Sequence, residues 1–395
     1  MGNRELFFRH LGIPSANPLA LEINRANGIY LYDETGKEYI DLVSGVSVSN
    51  VGHCHPLIIS AITEQVSKYM HLMVYGEYIQ SPQVQLAKAL TGLLPSTLDS
   101  VFLVNSGSEA IEGAVKLAKR YIGRTEIIAF ENAYHGSTQG ALSIAGNENL
   151  KNSFRPLLPD IRHIRFNSLE DLGFITERTA CVVAESIQAE AGIILPEEQY
   201  LVALRQKCSQ TGALLILDDV QMGFGRTGRF FSFENFGFVP DILVLAKAMG
   251  GGMPIGAFIS STSIMNTLTN NPELGHITTF GGHPVCCAAA LANIKILNDE
   301  KVIPEAGIKG ELFKKELSDL PNIKEIRQFG LMLGIDLPSA NHADKAMKTM
   351  MENGLLSDRF LFRPQSFRIA PPLTITYSEI EKTILLLKRS MNQLN

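Results

Sequence analysis

The middle of the chain alternates short apolar, often β-branched runs with longer stretches whose apolar positions recur at helical spacing. The longer stretches predict helices, among them 109–121 and 197–211, and Gly212 is suited to end the second of these. The short runs predict strands at 101–104, 126–130, 180–185, 214–218, 241–245 and 257–259. This alternation indicates an α/β domain around a mainly parallel sheet.

Both ends of the chain have a different pattern. Residues 28–41 alternate apolar and polar positions around Thr35 and Gly36, which predicts a β-hairpin. Beyond about residue 290 the pattern predicts a helix, a strand region at 324–337 and further helices, the last opening with the capping-box spacing of Thr376 and Glu379. We therefore predict three segments: 1–50 and 289–395 as the two parts of a smaller α+β domain, and 51–288 as a large domain.

Composition and charge exclude several classes of partner. The 395 residues are 45% hydrophobic, which allows a sizeable core, and the net charge of −5 comes without a basic stripe for nucleic acid. No apolar run reaches the about 18 residues that a bilayer-spanning helix needs, and the first ten residues lack a signal-peptide layout. We therefore expect a cytoplasmic protein that binds neither nucleic acid nor membrane.

Neither disulfide bonds nor a metal site are favoured by the sequence. The five cysteines are odd in number and lack CxxC spacing, which predicts small buried apolar side chains. His53 and His55 would share a face of a strand as possible metal ligands, but no third ligand lies nearby in the sequence. The preferred interpretation is a hydrogen-bonding histidine in a turn, and we predict no metal site.

Two carboxylates, Asp218 and Asp219, directly follow the apolar strand 214–217. The carboxyl end of a parallel strand faces the crevice in which such sheets bind ligands. The glycines that follow, at 223, 225 and 228, match GxGxxG, but the aromatic stretch after them is a poor start for the helix that a dinucleotide site requires. We interpret this glycine match as coincidental.

A single lysine, Lys247, follows the strand at 241–245 and precedes three consecutive glycines at 250–252. Desolvation at such a position would lower the pKa of the lysine and make its neutral amine available to attack an aldehyde, as in Schiff-base lysines. A solvated lysine at a strand end fits this segment equally well. The segment alone leaves both interpretations open.

Taken in order, the motifs of the chain resemble those of the class III aminotransferases, the ornithine and acetylornithine aminotransferase group. The matching motifs extend from about residue 18 to 373 and are Ser44-Gly45, Gly52-His-Cys-His-Pro56, Asn105-Ser-Gly-Ser-Glu-Ala110, Ala133-Tyr-His-Gly136, Glu185-Ser-Ile-Gln-Ala-Glu190, Asp218 with Gln221, Lys247, Thr278-Thr-Phe-Gly-Gly-His-Pro284 and Arg368-Ile-Ala-Pro-Pro372. The resemblance implies a fold-type-I pyridoxal-phosphate-dependent transferase. In that fold a large domain with a mainly parallel central sheet is joined by a smaller α+β domain formed by both termini.

The resemblance also implies pyridoxal 5′-phosphate as the cofactor. Lys247 would carry it as a Schiff base and then act as a general base, while Asp218 would keep its ring nitrogen protonated. Other implied cofactor contacts are Ser106, Gly107 and Ser108 at the phosphate, Tyr134 against the ring, His135, Glu185, Gln221 at the ring hydroxyl oxygen, and Thr279 from the neighbouring subunit of a homodimer. A plain helix N-cap is the alternative for Ser108, and a core tyrosine is the alternative for Tyr134.

The reaction implied is a ping-pong transfer of an amino group from an ω-amino acid or a diamine to an oxo acid such as 2-oxoglutarate. Arg368 would bind the acceptor carboxylate, and Glu190 would pair with Arg368 and so mask the arginine while an ω-amine donor is bound. A salt bridge that only joins two domains is the alternative for this pair. Ser137 stands where the acetylornithine subgroup has an arginine, which argues against acetylornithine as donor. Val46 lies in a region that contacts substrate side chains in the family.

Two other functions remain open from the sequence alone. An aminomutase or racemase would use the same cofactor but would complete its turnover without an external oxo acid. A catalytically silent binding protein could keep the fold, but a scaffold needs neither Lys247 nor Asp218. These two residues therefore favour an enzyme.

Overall fold

The computed structural model describes residues 2–394, so positions 1 and 395 of the predicted segments lie outside the described residues. Its strands are β1 (Ile23–Asn27), β2 (Tyr30–Asp33), β3 (Glu38–Asp41), β4 (Ser100–Val104), β5 (Glu126–Phe130), β6 (Ile161–Ile164), β7 (Thr179–Glu185), β8 (Leu214–Asp218), β9 (Ile242–Leu245), β10 (Gly256–Ser260), β11 (Glu325–Phe329), β12 (Met332–Asp336), β13 (Leu355–Leu356), β14 (Arg359–Phe360) and β15 (Arg363–Ile369). The helices are α1 (Asn3–His10), α2 (Ser44–Ser47), α3 (Pro56–Lys68), α4 (Ser81–Gly92), α5 (Gly107–Ile122), α6 (Gln139–Ile144), α7 (Glu148–Lys151), α8 (Tyr200–Thr211), α9 (Thr262–Met265), α10 (Pro284–Asp299), α11 (Val302–Leu317), α12 (Ala340–Glu352) and α13 (Tyr377–Asn392).

A seven-stranded sheet with the order β4-β10-β9-β8-β7-β5-β6 forms the centre of the molecule. The five adjacent strands β6, β5, β7, β8 and β9 pair in parallel. Strand β10 is antiparallel to both β9 and β4. Every residue of β7, β8 and β9 is buried, as expected for parallel strands covered on both faces. The predicted α/β fold with a mainly parallel sheet is confirmed.

Each of the predicted central strands is present, with ends within one residue of those expected. The sequence pattern missed β6, because this edge strand is only partly buried and carries Arg162 and His163 among its four residues. Helix α8 ends at Thr211, and the glycine that follows it, Gly212, has the left-handed conformation, so the predicted helix end is confirmed. Its predicted start at 197 was wrong, because Gln199 has a φ of 66° and the helix begins after it.

The two ends of the chain meet in a small sheet with the order β1-β2-β3-β13. The predicted hairpin is formed by β2 and β3, and β13 from the C-terminal part pairs in parallel with β3. A further four-stranded sheet, β11-β12-β15-β14, belongs to the C-terminal part, and the capping box of Thr376 and Glu379 opens α13. The segment boundaries at 50/51 and 288/289 stay a prediction.

A fully buried arginine, Arg226, joins segments that are far apart in the sequence. Its Nη1 donates to the carbonyl oxygens of Leu331 at 2.8 Å and Pro371 at 2.7 Å, and its Nη2 donates to Asn50 Oδ1 at 2.6 Å. Burial lowers the pKa of Arg226 to about 9. The loop after β8, the entry to β12 and the segment after β15 are therefore held together by one side chain.

Three smaller expectations can be compared with the structure. The glycines at 223, 225 and 228 lie in a loop that leads into a short 3-10 helix, Ser232–Asn235, rather than into a phosphate-binding α-helix. Four cysteines are buried as predicted, but Cys54 is exposed, because it lies in the turn before α3. Within residues 2–394, no helix has the length and apolar character to cross a membrane.

Candidate active site

A cavity of about 390 Å³ lies where several strands of the central sheet end. Glu185 is the last residue of β7 and Asp218 is the last residue of β8, and both line the cavity. Lys247 lines it two residues after the end of β9. The segment after β4, which includes the first two residues of α5, supplies residues 105–108, and the loop after β5 supplies residues 134–136. This edge of the sheet therefore collects most of the residues that the sequence motifs single out.

Lys247 begins a short 3-10 turn, Lys247–Gly250, and has a φ of 47°, which is uncommon for a residue other than glycine. Burial lowers the pKa of Lys247 and the charge of Arg368 acts in the same direction, whereas the carboxylates of Glu190 and Asp218 oppose the shift. The side chain faces the cavity, and a larger fraction of it is in the neutral amine form than for an ordinary lysine at the same pH. Such an amine can act as a nucleophile or as a base.

Asp218 is buried and is fixed by two hydrogen bonds. Its Oδ2 lies 2.7 Å from His135 Nδ1, and its Oδ1 accepts from the main-chain N–H of Val220 at 3.1 Å. Burial disfavours a charged imidazole, but the hydrogen bond and charge of Asp218, together with the charge of Glu185, raise the pKa of His135. His135 therefore orients Asp218 and compensates its charge inside the protein.

Glu185 connects the two loops that carry Tyr134 and Glu190. Its Oε1 accepts from the main-chain N–H of Tyr134 at 3.1 Å, and its Oε2 accepts from that of Ala189 at 2.9 Å. Burial raises the pKa of Glu185 to about 7, with Asp218 adding to the rise and His135 opposing it. Tyr134 is half-buried, lines the cavity, and its Oη lies 3.2 Å from Ser137 Oγ.

The N-terminus of α5 lies at the cavity and is capped by a residue of its lining, Ser106. The side chain of Ser106 accepts from the N–H of Glu109 at 3.2 Å, and Glu109 Oε2 accepts from the N–H of Asn105 at 2.8 Å. Ser106, not Ser108, is therefore the N-cap, so the plain N-cap interpretation of Ser108 was wrong. The reason is that the helix starts two residues earlier than its apolar periodicity indicates.

The first intrahelical hydrogen bond of α5 runs from Ala110 N–H to the Ser106 carbonyl. The amides of Gly107 and Ser108 precede this bond and lie at the positive end of a helix of 16 residues. Gly136 packs against this turn with a φ of 125°, and a Cβ there would lie 2.0 Å from Ser108 Oγ. This glycine-lined helix start has the shape and polarity to hold a phosphate dianion.

Arg368 is 1% exposed and lies behind two residues that line the cavity, Glu190 and Gln221. Its Nη2 lies 3.1 and 3.3 Å from the two oxygens of Glu190, and its Nη1 donates to Gln221 Oε1 at 3.2 Å. Gln221 Nε2 in turn donates to Glu190 Oε1 at 2.9 Å. Burial disfavours the charged guanidinium, but Glu190 and Asp358 outweigh this and raise the pKa of Arg368.

Besides Arg368, three sequence candidates lie outside the lining of this cavity. Thr279 is exposed, and Ser137 is exposed with its N–H 3.3 Å from Ser108 Oγ. Val46 is half-buried, and Val48 lines the cavity in its place. The chain from Ser44 to Ser47 has positive φ at each residue, so neither strand nor helix periodicity could indicate which valine faces the cavity.

Several apolar residues of the lining were missed from the sequence, namely Ile187, Met222, Met253, Pro254 and Ile255. They carry no chemical signature, although each lies within a few residues of a motif residue.

His53 and His55 hydrogen-bond two different carboxylates, Asp41 at 2.8 Å and Glu300 at 3.0 Å. The part of the chain that the structure describes contains no cluster of three His, Cys, Asp or Glu residues suited to a metal ion.

Known proteins match the chain over almost its full length. The sequence profile of the class-III aminotransferases matches residues 13–391. An acetylornithine aminotransferase of Methanocaldococcus jannaschii is 40% identical over 95% of this chain and 94% of that protein. The [LysW]-aminoadipate semialdehyde/glutamate semialdehyde transaminase of Sulfurisphaera tokodaii is 37% identical over 92% of each. A structure of ornithine aminotransferase from Toxoplasma gondii, with partial occupancy of PLP at its active site, is 29% identical with a TM-score of 0.91 and covers 99% of this chain and 94% of that one.

The lowered pKa of Lys247 predicts its reactivity in protein freed of cofactor. An amine-directed acylating reagent should label Lys247 with a pH midpoint below the usual range of a lysine side chain, because burial lowers its pKa and the neutral amine exists at lower pH. Glu190→Gln should move the midpoint lower still, since a carboxylate that favours the ammonium form is removed. Peptide mass spectrometry over a pH series measures the midpoint of Lys247 in both proteins, and a wild-type midpoint in the usual lysine range would contradict the prediction.

Proposed function

This chain belongs to the class-III aminotransferases, and we propose that it transfers an amino group from an ω-amino acid or a diamine to an oxo acid such as 2-oxoglutarate. Its cofactor is pyridoxal 5′-phosphate. The observation that supports the proposed site most strongly is the convergence of Lys247, Asp218 and the N-terminus of α5 on one cavity. The composition of the chain leads us to propose the cytoplasm as its compartment.

The polar groups around the cavity fit this cofactor. Bound pyridoxal phosphate supplies an aldehyde that condenses with amines and a protonated ring that accepts electrons from the reacting carbon. We assign to Lys247 the attachment of the cofactor and, once it is freed, the transfer of the substrate proton, for which its lowered pKa is suited. Asp218 would accept the hydrogen bond of the ring N–H, and His135 would hold the carboxylate in place.

The remaining contacts follow from the positions of the lining residues. The amides of Gly107 and Ser108, with the side chains at 106 and 108, would hold the phosphate at the positive end of α5. Tyr134 would lie against one face of the ring, and Glu185 would fix the loop that carries it. Gln221 would direct its second amide hydrogen to the ring hydroxyl oxygen while the first donates to Glu190.

The charges of the cavity support an ω-amine as donor. Three carboxylates line the cavity, and the basic side chains in its described lining are those of Lys247 and His135. Lys247 is assigned to the cofactor and His135 is engaged by Asp218. A donor with a carboxylate beside its amine would therefore lack a free cation close to the reacting carbon. Ser137, where the acetylornithine subgroup has an arginine, provides only a hydroxyl for the far end of the donor.

The acceptor is selected at Arg368 in this proposal. While an amine donor is bound, Glu190 pairs with Nη2 of Arg368, and Gln221 accepts from Nη1. When an oxo acid enters, its carboxylate would replace Glu190 at Nη2 and Gln221 at Nη1, and such two-point contact is a geometry that a guanidinium favours. One cavity can thus accept, in alternate half-reactions, an amine without a carboxylate on its reacting carbon and an oxo acid that has one.

We further propose a homodimer in which Thr279 reaches the cofactor phosphate of the partner subunit. Two segments, 70–79 and 274–280, border a second cavity of about 620 Å³ beside the edge strand β4 and carry many exposed apolar side chains. Ile79 is 94% exposed, and clusters of exposed apolar side chains such as those of these two segments mark protein–protein contacts. Thr279 lies between Thr278, which accepts from Asn105 Nδ2 at 2.7 Å, and the exposed Phe280.

The assignment of Lys247 predicts where the cofactor is attached. Borohydride reduction of the holoenzyme should fix the cofactor to one peptide containing Lys247, Lys247→Ala should yield no such peptide, and Lys88→Ala should leave it unchanged. Asp218→Asn should retain the cofactor but slow the single-turnover reaction with amine on the order of 100-fold or more, because a preorganised charge is lost. An adduct on another lysine, or an unchanged rate for Asp218→Asn, would refute these roles.

The role of Arg368 predicts unequal effects on the two half-reactions. Arg368→Ala should lower kcat/KM for 2-oxoglutarate roughly 30- to 150-fold, because a charge-assisted contact contributes about 2–3 kcal/mol. The rate at which ω-amines convert the cofactor to its pyridoxamine form should change much less. Arg363→Ala is the matched control, since Arg363 lies on the same strand and pairs with Asp336. Equal losses in both half-reactions would favour the domain-joining interpretation, and turnover without any oxo acid would indicate a mutase or racemase.

The proposed dimer predicts the effects of two surface substitutions. Wild-type protein should sediment at twice the 43.3 kDa of one chain, and Ile79→Asp should dissociate it, because a charge would be buried at the apolar contact. Thr279→Ala should leave the dimer intact but weaken cofactor retention. Leu385→Asp, at an aliphatic position 68% exposed on α13, is the control and should change neither property. A wild-type monomer that retains cofactor fully would disprove this proposal.

A further inference from the structure

Asp358 lies between the short strands β13 and β14 and forms a close ion pair with Arg368. Its Oδ1 accepts from Arg368 Nε at 2.5 Å, and its carbonyl oxygen accepts from the main-chain N–H of the same arginine at 3.0 Å. Ser357 Oγ donates to the carbonyl of Arg368 at 2.6 Å. Side-chain and main-chain bonds therefore hold Asp358 and Arg368 together on neighbouring stretches of chain.

The guanidinium of Arg368 is oriented from several directions. Nε is occupied by Asp358, and the ring centroid of Phe360 lies 4.7 Å from Cζ. The two terminal nitrogens contact Glu190 and Gln221, both of which line the cavity. Because the guanidinium is planar, fixing Nε on one side also fixes the direction in which Nη1 and Nη2 point.

The two carboxylates on Arg368 differ in how easily they could be replaced. Glu190 follows β7, lines the cavity, and shares its Oε1 with Gln221, so a ligand in the cavity can compete for its place. Asp358 is half-buried, is not part of the described cavity lining, and is tied to Arg368 through the main chain. The pKa of Asp358 is raised, because burial and the charge of Glu190 outweigh the charge and hydrogen bond of Arg368. Glu190 is the exchangeable partner of the arginine, and Asp358 is the permanent one.

We propose that Asp358 is a positioning residue for acceptor recognition: it holds the Nε side of Arg368 so that both terminal nitrogens stay aimed at the cavity when Glu190 withdraws. This inference rests on the proposed function of Arg368. A buried guanidinium released by its only partner would be an uncompensated charge free to rotate, and it would meet the carboxylate of the oxo acid in poor geometry. With Asp358 in place, the exchange of one carboxylate for another leaves the arginine paired and aligned throughout.

The test compares two substitutions at this position in the holoenzyme. Asp358→Ala removes the acceptor for Nε and should raise KM for 2-oxoglutarate about 10- to 100-fold, as expected for a misplaced binding group. The rate at which an ω-amine converts the cofactor to its pyridoxamine form should stay within about twofold of the wild-type rate, because that half-reaction does not use the freed arginine. Asp358→Asn keeps an oxygen that can accept from Nε and should restore KM to within about threefold of wild type.

A direct binding measurement accompanies the kinetics. Calorimetric titration with glutarate, a dicarboxylate that has no oxo group to react, should show weaker binding to Asp358→Ala by the same factor as the rise in KM. Asp344→Ala is the matched control, since Asp344 forms an exposed ion pair with Arg359 of β14 at 2.9 Å and should affect neither quantity. If Asp358→Ala does not fold, Asp358→Glu displaces the accepting oxygen by one methylene and should give an intermediate loss.

The outcomes separate this inference from the proposed function. Wild-type protein that neither uses 2-oxoglutarate nor binds glutarate would refute the proposed acceptor class and this inference with it. A wild type that does both, combined with unchanged KM and glutarate affinity in Asp358→Ala, would overturn the role of Asp358 alone. Equal losses in both half-reactions, or an Asp358→Asn variant as impaired as Asp358→Ala, would also overturn it.

Discussion

The structure depends on the pairing of charges that the fold buries at one edge of its central sheet. Burying an unpaired carboxylate or guanidinium costs several kcal/mol, so each such group needs a partner in the folded chain. Asp218 has His135, and Glu190 has Arg368. Lys247 departs from this rule: it faces the same cavity without a hydrogen-bonded counter-ion among the described residues, and its pKa is lowered. An amine left in that condition is chemically useful, because it gives up its proton more readily than an exposed amine does.

The sequence pattern was sufficient for the elements that supply this edge. The apolar runs that form β7, β8 and β9 are buried on both faces, and such runs are recognisable without knowledge of the tertiary structure. The order of motifs along the chain then identified residues such as Asp218 and Lys247, which the structure brings to one cavity. Edge strand β6 was missed because an edge is partly solvated, so its sequence need not be apolar.

Other features depend on backbone geometry or tertiary contacts that a sequence pattern does not contain. Val48 rather than Val46 lines the cavity because the preceding residues adopt left-handed conformations. Ser106 rather than Ser108 caps α5 because the reciprocal bond of Glu109 fixes the helix start. Asp358 was not recognised because its partner lies ten residues away on a paired strand, and no spacing rule connects the two.

The segments that carry the strained backbone near the cavity are tied to the rest of the fold in part by a buried arginine, Arg226. Positive φ at Ser44, Val46, Ser47 and Lys247 costs of order 1–3 kcal/mol per residue and persists only where surrounding contacts fix the chain. Arg226 supplies such contacts, because it binds Asn50 and Pro371 at the ends of the segments that carry Ser47 and Arg368. Its own burial costs free energy, as its lowered pKa indicates. The chain therefore spends stability on fixing the relative positions of the segment at 44–50, the loop after β8 and strand β15, and the alignment of Arg368 with the cavity depends on those positions.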